Sequence, residues 1–560
     1  AGYSAHLFVP IRSAQQPAIN ENNPSSSLAT TINFLERKQY GSQSMIERMF
    51  KRRSEWENQF GDYQRMGFWR FFNEQYGLIG PKFVVLFLLG LFGIWEVIRR
   101  RSDVGLSFLL LLLICSVGLI LYMNFADGTR QHPLSGADHI EVRDRDYFFT
   151  PAFIFFGLAI GIGAAIAVQY IREGVAKFSA VPKKIIVTSS LILFLLPTFA
   201  LARNYHLCDR SRSYFPYDYG WNLLTSADPD AVLFTYGDND TFPLWCMQEV
   251  YGVRTDVKVV NLSLSNSKWY IKQLKSSMGL DLGLSNEEID RLKPYRTADG
   301  TIFRLQDQVI NALIANDGRK IPINFSVSVG LGAQKYRGKP MDSLLVLSGM
   351  VWRVDDPGQP RRVDIESSID FFTSPDKFQS RGVNDPSIYK DATTFRLTRN
   401  WANGFLMVAD ALRKAGDYER AEHLVERAVE QIPYSSRAVE YLANLYSRRG
   451  EVDELRTLIE RTAHGDKGRL KLLLGRSERK LKRYSEAERL FKDVLAEDPS
   501  NRSAFEELVR LYLETKQATP MRLLLLRWLQ SNPRDNQVKI MLEELEKRMT
   551  VPGTVGANES

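Results

Sequence analysis

Long apolar runs crowd one stretch of this chain and are absent from the rest. Four of them fall between residues 81 and 203: Pro81 to about Ile98, Leu106 to about Ala126, Pro151 to Ile171, and Ile185 to Ala202. A bilayer core takes about 20 mostly apolar residues per helix, so the pattern predicts four transmembrane helices over 81–203. Gly157, Gly161 and Gly163 in the third run predict close helix packing, and Pro197 in the fourth predicts a kink. Trp56, Phe68, Trp69, Phe71, Phe72 and Tyr76 precede the first run. Such an aromatic band fits a segment lying at a membrane interface, and residues 1–80 read as a loop plus that segment.

The pattern changes after Arg203. Ala231–Phe234 and Val257–Val260 are short apolar runs, with TYGDNDTFPLWCMQEVYGVRTD between them. This fits a strand, a loop at its C-terminal end, a short helix and a parallel strand. With further β-like runs at Ile321–Val329 and Ser343–Val354, it predicts an α/β domain over 204–399. From 400 the pattern is helical and repetitive. Pro433, Pro499 and Pro533 are 66 and 34 residues apart, close to two periods and one period of a tetratricopeptide repeat. Ala409, Gly416, Tyr418, Ala421, Ala428 and Pro433 mark the first unit, and Gly475, Tyr484, Ala487 and Pro499 the third; the second and fourth are degenerate. Residues 400–548 are therefore expected to form an all-α tetratricopeptide-like solenoid. The tail, 549–560, is expected to be disordered. The fold class is a multi-domain membrane protein: a four-helix transmembrane part, an extracytoplasmic α/β domain and the solenoid.

Charge sets the orientation. The average composition, net charge +8 with 44% hydrophobic residues, hides the split between the apolar stretch and the rest. Arg99, Arg100 and Arg101 follow the first run, and Arg172, Lys177, Lys183 and Lys184 follow the third. Both loops are basic, which predicts a cytoplasmic location. The connection 124–150 carries Arg130, Arg143 and Arg145 against five acids and is expected outside. Four crossings then place residues 1–80 and 204–560 outside as well, periplasmic in a bacterial inner membrane. No tract interleaves Lys/Arg with aromatics as a nucleic-acid groove would, so no nucleic-acid partner is expected. Cys115, Cys208 and Cys246 give neither a disulfide framework nor metal-ligand spacing; Cys208 and Cys246 are open to pairing or to remaining thiols.

Candidate chemistry centres on Asp238, Asn239, Asp240 and Thr241, in the loop where open α/β sheets bind ligands. Two carboxylates one residue apart can share a divalent cation or a sugar hydroxyl. The same residues favour turns and helix caps, and that reading weighs more. Trp245 and Glu249 lie nearby in sequence, and Arg254 with Asp256 reads as a surface ion pair. Just before the third run, Arg143, Asp144, Arg145 and Asp146 form a charge run that reads as a solvated face or, at a membrane surface, as a place where Arg143 and Arg145 meet a lipid phosphate. Arg12, in a Pro- and Asn-rich loop, is suited to an anionic group, whereas His6 lacks a second ligand, so no metal site is expected there. No Ser–His–Asp order, Walker loop, dinucleotide fingerprint or CxxC is present.

The stretches GYSAHLFVPIRSAQQPAINENNP, ERKQYG, EVRDRDYFF, LFTYGDNDTFPLWCMQEVYGVRTDVKVVNLSLSNSKWYI and RGVNDPSIYKDATTFRL, from residue 2 to about 400, resemble the bacterial proteins of domain-of-unknown-function family 2723. These are relatives of the animal transmembrane protein 260, and repeats often follow in the family. The resemblance implies a GT-C type glycosyltransferase, possible as a protein O-mannosyltransferase, that takes a mannose-like hexose from a polyprenyl-phosphate donor on the outer side of the membrane. It implies that Arg12 and Ser13 face the active-site cavity and that Arg143–Tyr147 lie near the donor phosphate. It assigns no role to Asp238 or Asp240. The catalytic base of the family sits in a preceding membrane block, so the chain is expected to be the C-terminal portion of such an enzyme, with the base upstream of Ala1. Two functions follow. One is part of a membrane glycosyltransferase whose repeats recruit the protein acceptor or a partner; the other is a non-catalytic, bilayer-anchored tetratricopeptide scaffold.

Overall fold

Where the structure describes the apolar runs, they are helical, because a chain in hydrocarbon must satisfy its own backbone hydrogen bonds. The structure is a computed structural model. It describes residues 6–15, 24–36, 38, 45–51, 55–63, 65–76, 84–124, 144–177, 198, 201–297, 300, 302–316, 321–355, 362–461 and 467–550. The chain divides into two units, Ala1–Ser211 and Arg212–Ser560.

In the first unit the main helices are α1 (Phe68–Tyr76), α2 (Val84–Arg100), α3 (Ser102–Met123) and α4 (Thr150–Lys177). Two helices, Ser102–Met123 and Asp146–Gly174, are long and apolar enough to cross a membrane. Only 17% and 33% of their most apolar windows are buried within the protein, unlike the core helices of a soluble domain, and this suggests membrane association. The expectation of four such helices is corrected accordingly: two, among the described residues, meet the requirement. The first run is a helix of 17 residues, and residues 185–197 of the fourth, with Pro197, lie outside the described ones.

Helices α2 and α4 run parallel: Gly90 meets Phe156, Gly93 meets Ala159 and Gly163, and Glu96 meets Tyr170. A Cβ on Gly93 would lie 2.1 Å from the Ala159 carbonyl oxygen, and one on Gly163 would lie 2.1 Å from that of Leu89. Backbones this close require glycine. Of the three glycines expected to pack, only Gly163 does so this tightly: Gly161 faces open space, and Gly157 meets only the Tyr76 hydroxyl, at 3.4 Å. The aromatic band packs within this unit. Phe71 and Phe72 in α1 are buried, and Phe68 and Phe72 pack on Phe149 and Phe156 of the α4 end, with ring centroids 5.2 and 4.9 Å apart. Trp56 is exposed. Helix α3 contains a π turn, Ile114–Gly118, holding Cys115 and the buried Ser116, whose hydroxyl donates to the Leu112 carbonyl at 2.6 Å.

The second unit is built on a six-stranded sheet of β1 (Val232–Thr235), β2 (Lys258–Asn261), β3 (Ile323–Ser326), β4 (Leu345–Ser348), β5 (Val351–Val354) and β6 (Arg362–Val363), in the order β6-β4-β5-β3-β1-β2. Strand β1 pairs parallel with both β2 and β3, and β5 joins β3 and β4 antiparallel. All four residues of β1 are buried, as expected for a central strand covered on both faces. Its helices include α5 (Phe215–Ser226), α6 (Asp238–Tyr251), α7 (Lys268–Met278), α8 (Leu305–Asn316) and α9 (Ile365–Thr373).

Helix α10 (Ala392–Lys414) begins the repeats, followed by α11 (Tyr418–Gln431) and α12 (Ser436–Arg449). The expected boundary at 399/400 falls inside α10. Trp401 is fully buried against Phe215 and Phe378, and the Phe405 ring lies 4.0 Å from that of Phe372. One hydrophobic core therefore runs from the sheet into the first repeats. The turns between paired helices use a left-handed residue in each unit: Gly416, Gly450, Lys482 and Lys516. Lysine in that conformation costs about 1–2 kcal/mol relative to glycine, and its use hides the later units from a glycine count. Gly475 is not the counterpart of Gly416: it lies mid-helix, where the Phe491 ring closes on it. The last helix runs to Thr550, so 549 and 550 of the expected tail are helical; 551–560 lie outside the described residues. All three cysteines are unpaired.

Gly93→Ala and Gly163→Ala should each cost about 1–3 kcal/mol through overpacking, whereas Gly161→Ala should be neutral. Thermal unfolding in detergent checks this; equal effects at all three positions would contradict the packing described.

Candidate functional site

The chain leaves β1 toward β2 and later returns across β1 to form β3. The loops after β1 and β3 thus part, and a crevice opens between them at the carboxyl ends of parallel strands. A cleft of about 580 Å³ lies there, lined by Tyr236 after β1, Arg304, Gln306 and Asp307 at the start of α8, and Ser328 and Lys335 after β3. That volume is in the range of small-ligand sites.

Beneath the cleft sits Asp240. Gly237 begins α6, and the third helical residue, Asp240, turns inward and is 4% exposed. Its Oδ1 accepts from the Tyr219 hydroxyl at 2.6 Å, and its Oδ2 accepts from the Tyr236 N–H at 3.0 Å and from the Ser328 hydroxyl. Burial pushes this carboxyl above the usual carboxylate range, and the hydrogen bonds from Ser328, Tyr219 and Tyr236 oppose the shift. Thr241 is buried beside it, 2.6 Å from the Thr235 hydroxyl and bonded by Asn261 at 2.9 Å.

The Asp238 side chain is exposed while that of Asp240 is buried, so the two carboxylates do not converge on a cation. Among the described residues no group of three His, Cys, Asp or Glu side chains can hold a metal ion. Asn239 is half-buried, Trp245 stacks on Phe242 with centroids 5.4 Å apart, and Glu249 is exposed. None of these three lines the cleft.

Arg254 and Asp256 are more than the surface pair expected. The guanidinium chelates Asp256 at 2.9 and 2.8 Å and donates to the carbonyls of Leu224, Ala227 and Asp228 at 2.8, 3.0 and 3.0 Å. It clamps the end of α5 to the start of β1. The bond to Arg254 draws the Asp256 carboxyl down to about 2.

In the first unit, Arg12 ends the short helix Phe8–Ser13, and the Ser13 hydroxyl donates to that of Ser25 at 3.2 Å. Arg145 donates to the Tyr147 hydroxyl at 3.1 Å, and its N–H bonds the Arg65 carbonyl. Asp144 is exposed. Asp146 opens the turn before α4 and lines a small pocket of about 270 Å³ with Gln75, Tyr76 and Thr150. Arg143 lies outside the described residues. Hydropathy also passed over Glu96, a buried carboxylate in the first apolar run that accepts from Arg99, Arg100 and Tyr170 at 2.9, 3.2 and 2.8 Å.

Residues 216–291 match the family described as TMEM260-associated domain 2. The match covers α5 through α7, and with them β1, Tyr236 and Asp240. Residues 406–464 and 472–535 match the tetratricopeptide repeat. No curated protein matches the chain. The far wall of the cleft, from Arg304 to Lys335, lies beyond the first match.

Sequence reading missed Tyr219, Arg304, Ser328 and Lys335, which are spread over more than a hundred residues and join only when β3 pairs beside β1. It also missed Asp218, buried and held by Arg381 at 2.9 and 2.5 Å, although Arg381 opens the RGVNDPSIYKD motif.

Asp240→Ala should destabilise the second unit by about 2–4 kcal/mol, because it strands three donors, whereas Asp238→Ala should fall within about 0.5 kcal/mol. Denaturant unfolding of the full chain distinguishes them, and equal losses would refute this division.

The Asp256 carboxyl titrates lower folded than its unfolded value of about 3.9, so its stabilisation is complete above that pH and lost as pH falls toward 2. Asp256→Asn should flatten the acid limb of the stability profile below about pH 4. An unchanged slope there would count against the clamp.

Proposed function

We propose that the chain is part of a GT-C type membrane glycosyltransferase that moves a mannose-like hexose from a polyprenyl-phosphate donor to a protein or glycan acceptor on the outer side of the membrane. The observation that carries this reading is the order of parts in one chain: bilayer-length apolar helices, then the TMEM260-associated domain, then tetratricopeptide repeats. Tetratricopeptide repeats suggest protein–protein interaction, and here they recruit the acceptor or a partner. The family resemblance of the motifs supports the chemistry.

An outward location of residues 1–80 and 204–560 belongs to the same proposal. The basic loops after the first and third apolar runs support it. Arg12 and Arg143 would stabilise the departing lipid phosphate, a role that preorganised cations fill in group transfer.

The rival reading is a membrane-anchored scaffold in which the tetratricopeptide repeats are the whole function. Transfer of label from a polyprenyl-phosphate mannose by the full-length protein decides between them. Arg12→Ala or Arg143→Ala should lower transfer by about 100-fold or more with the melting temperature preserved. Wild-type rates in both variants would remove the phosphate contact, and absence of transfer from any such donor would leave the scaffold.

A further inference from the structure

The cleft at the ends of β1 and β3 has a wall that the proposed reaction does not use. Arg304 is exposed and Lys335 half-buried, and neither forms an ion pair among the described residues. Elsewhere in the same unit Arg254, Arg353 and Arg381 each meet an acid within 4 Å. Among the described residues the lining holds one acid, Asp307, whose carboxyl burial pushes up and both cations pull down, so two cations against one carboxylate leave the cleft attractive to an anion.

The remaining lining carries hydrogen-bonding groups of both kinds. Asp307 is 4% exposed; its Oδ2 accepts from the Arg304 N–H at 2.7 Å, which leaves Oδ1 as an acceptor. The Gln306 amide is fixed by Asn266, whose side chain donates to Oε1 at 2.8 Å. Tyr236 offers a ring that is 45% exposed. At Gly330 and Gly332 a Cβ would meet nothing within 4 Å, so a ligand can reach the backbone there. Besides the Tyr236 ring, the apolar lining is Ile302 and Ala333, too little for a lipid chain.

We propose that this cleft binds a small anionic sugar, whose charge is taken by Arg304 and Lys335 and whose hydroxyls are taken by Asp307 and the neighbouring amides. The anion is a phosphate ester or a carboxylate; both suit a guanidinium and an ammonium group. The site stands on the cleft alone and does not depend on sugar transfer in the membrane, so failure here leaves the transfer assay unaffected.

The test is calorimetric titration of the full chain in detergent, at low salt, with a hexose 1-phosphate, a hexuronate, the neutral hexose and inorganic phosphate. One of the two anionic sugars should bind, and its identity names the anion. Arg304→Ala with Lys335→Ala should weaken binding by roughly 10-fold or more without lowering the melting temperature, since neither side chain has an acid within 4 Å among the described residues. Binding by the wild type should also fall as salt rises. Four results would each overturn the proposal: no binding of either anionic sugar, undiminished binding in the double variant, equal binding of the neutral hexose, or inorganic phosphate binding as tightly as the sugar phosphate.

Discussion

A single buried carboxylate organises the second unit. Asp240 receives hydrogen bonds from α5 through Tyr219, from the end of β1 through Tyr236 and from the loop after β3 through Ser328. Its own helix starts two residues before it. Three stretches distant in sequence, around Tyr219, Tyr236–Asp240 and Ser328, are thereby fixed around one side chain, and each donor would be left without this partner if the side chain were lost. The register β1↔β3, which pairs Phe234 with Phe325, brings those donors together. The cleft opens above the point where this carboxylate ties the loops after β1 and β3 together.

The sequence was legible where physics acts locally. Runs of apolar residues near the bilayer span became helices, and proline spacing near a 34-residue period became repeats, because both signals repeat along the chain. It was less legible where an outcome depends on which face a residue presents. Asp238 and Asp240 look equivalent in a string, yet two residues along a helix N-terminus rotate a side chain from water to core. Gly157, Gly161 and Gly163 likewise look alike, and only the last meets α2 backbone to backbone. Arg304 and Lys335 were invisible because nothing in their local sequence ties them to Tyr236; the crossover of the chain over β1 does.

Charge also behaves differently from its appearance in composition. Arg254 reads in sequence as half of a surface ion pair, yet it also holds three backbone carbonyls, and Arg381 holds the buried Asp218 carboxylate. Arginine serves this role because its planar fork can satisfy several acceptors at once. Glu96 shows the same logic in the first unit, where two arginines and a tyrosine hydroxyl surround a carboxylate within an apolar helix.

The burial of Trp401 and Phe405 in the same core as the sheet fixes the bearing of the first repeat. An array joined by a flexible linker would sweep a volume and dilute whatever it captured. Here the hinge is packed solid, so cargo seated on the first repeats would stay at one distance and angle from the crevice. Geometry, rather than tether length, would then decide which part of a captured chain comes within reach.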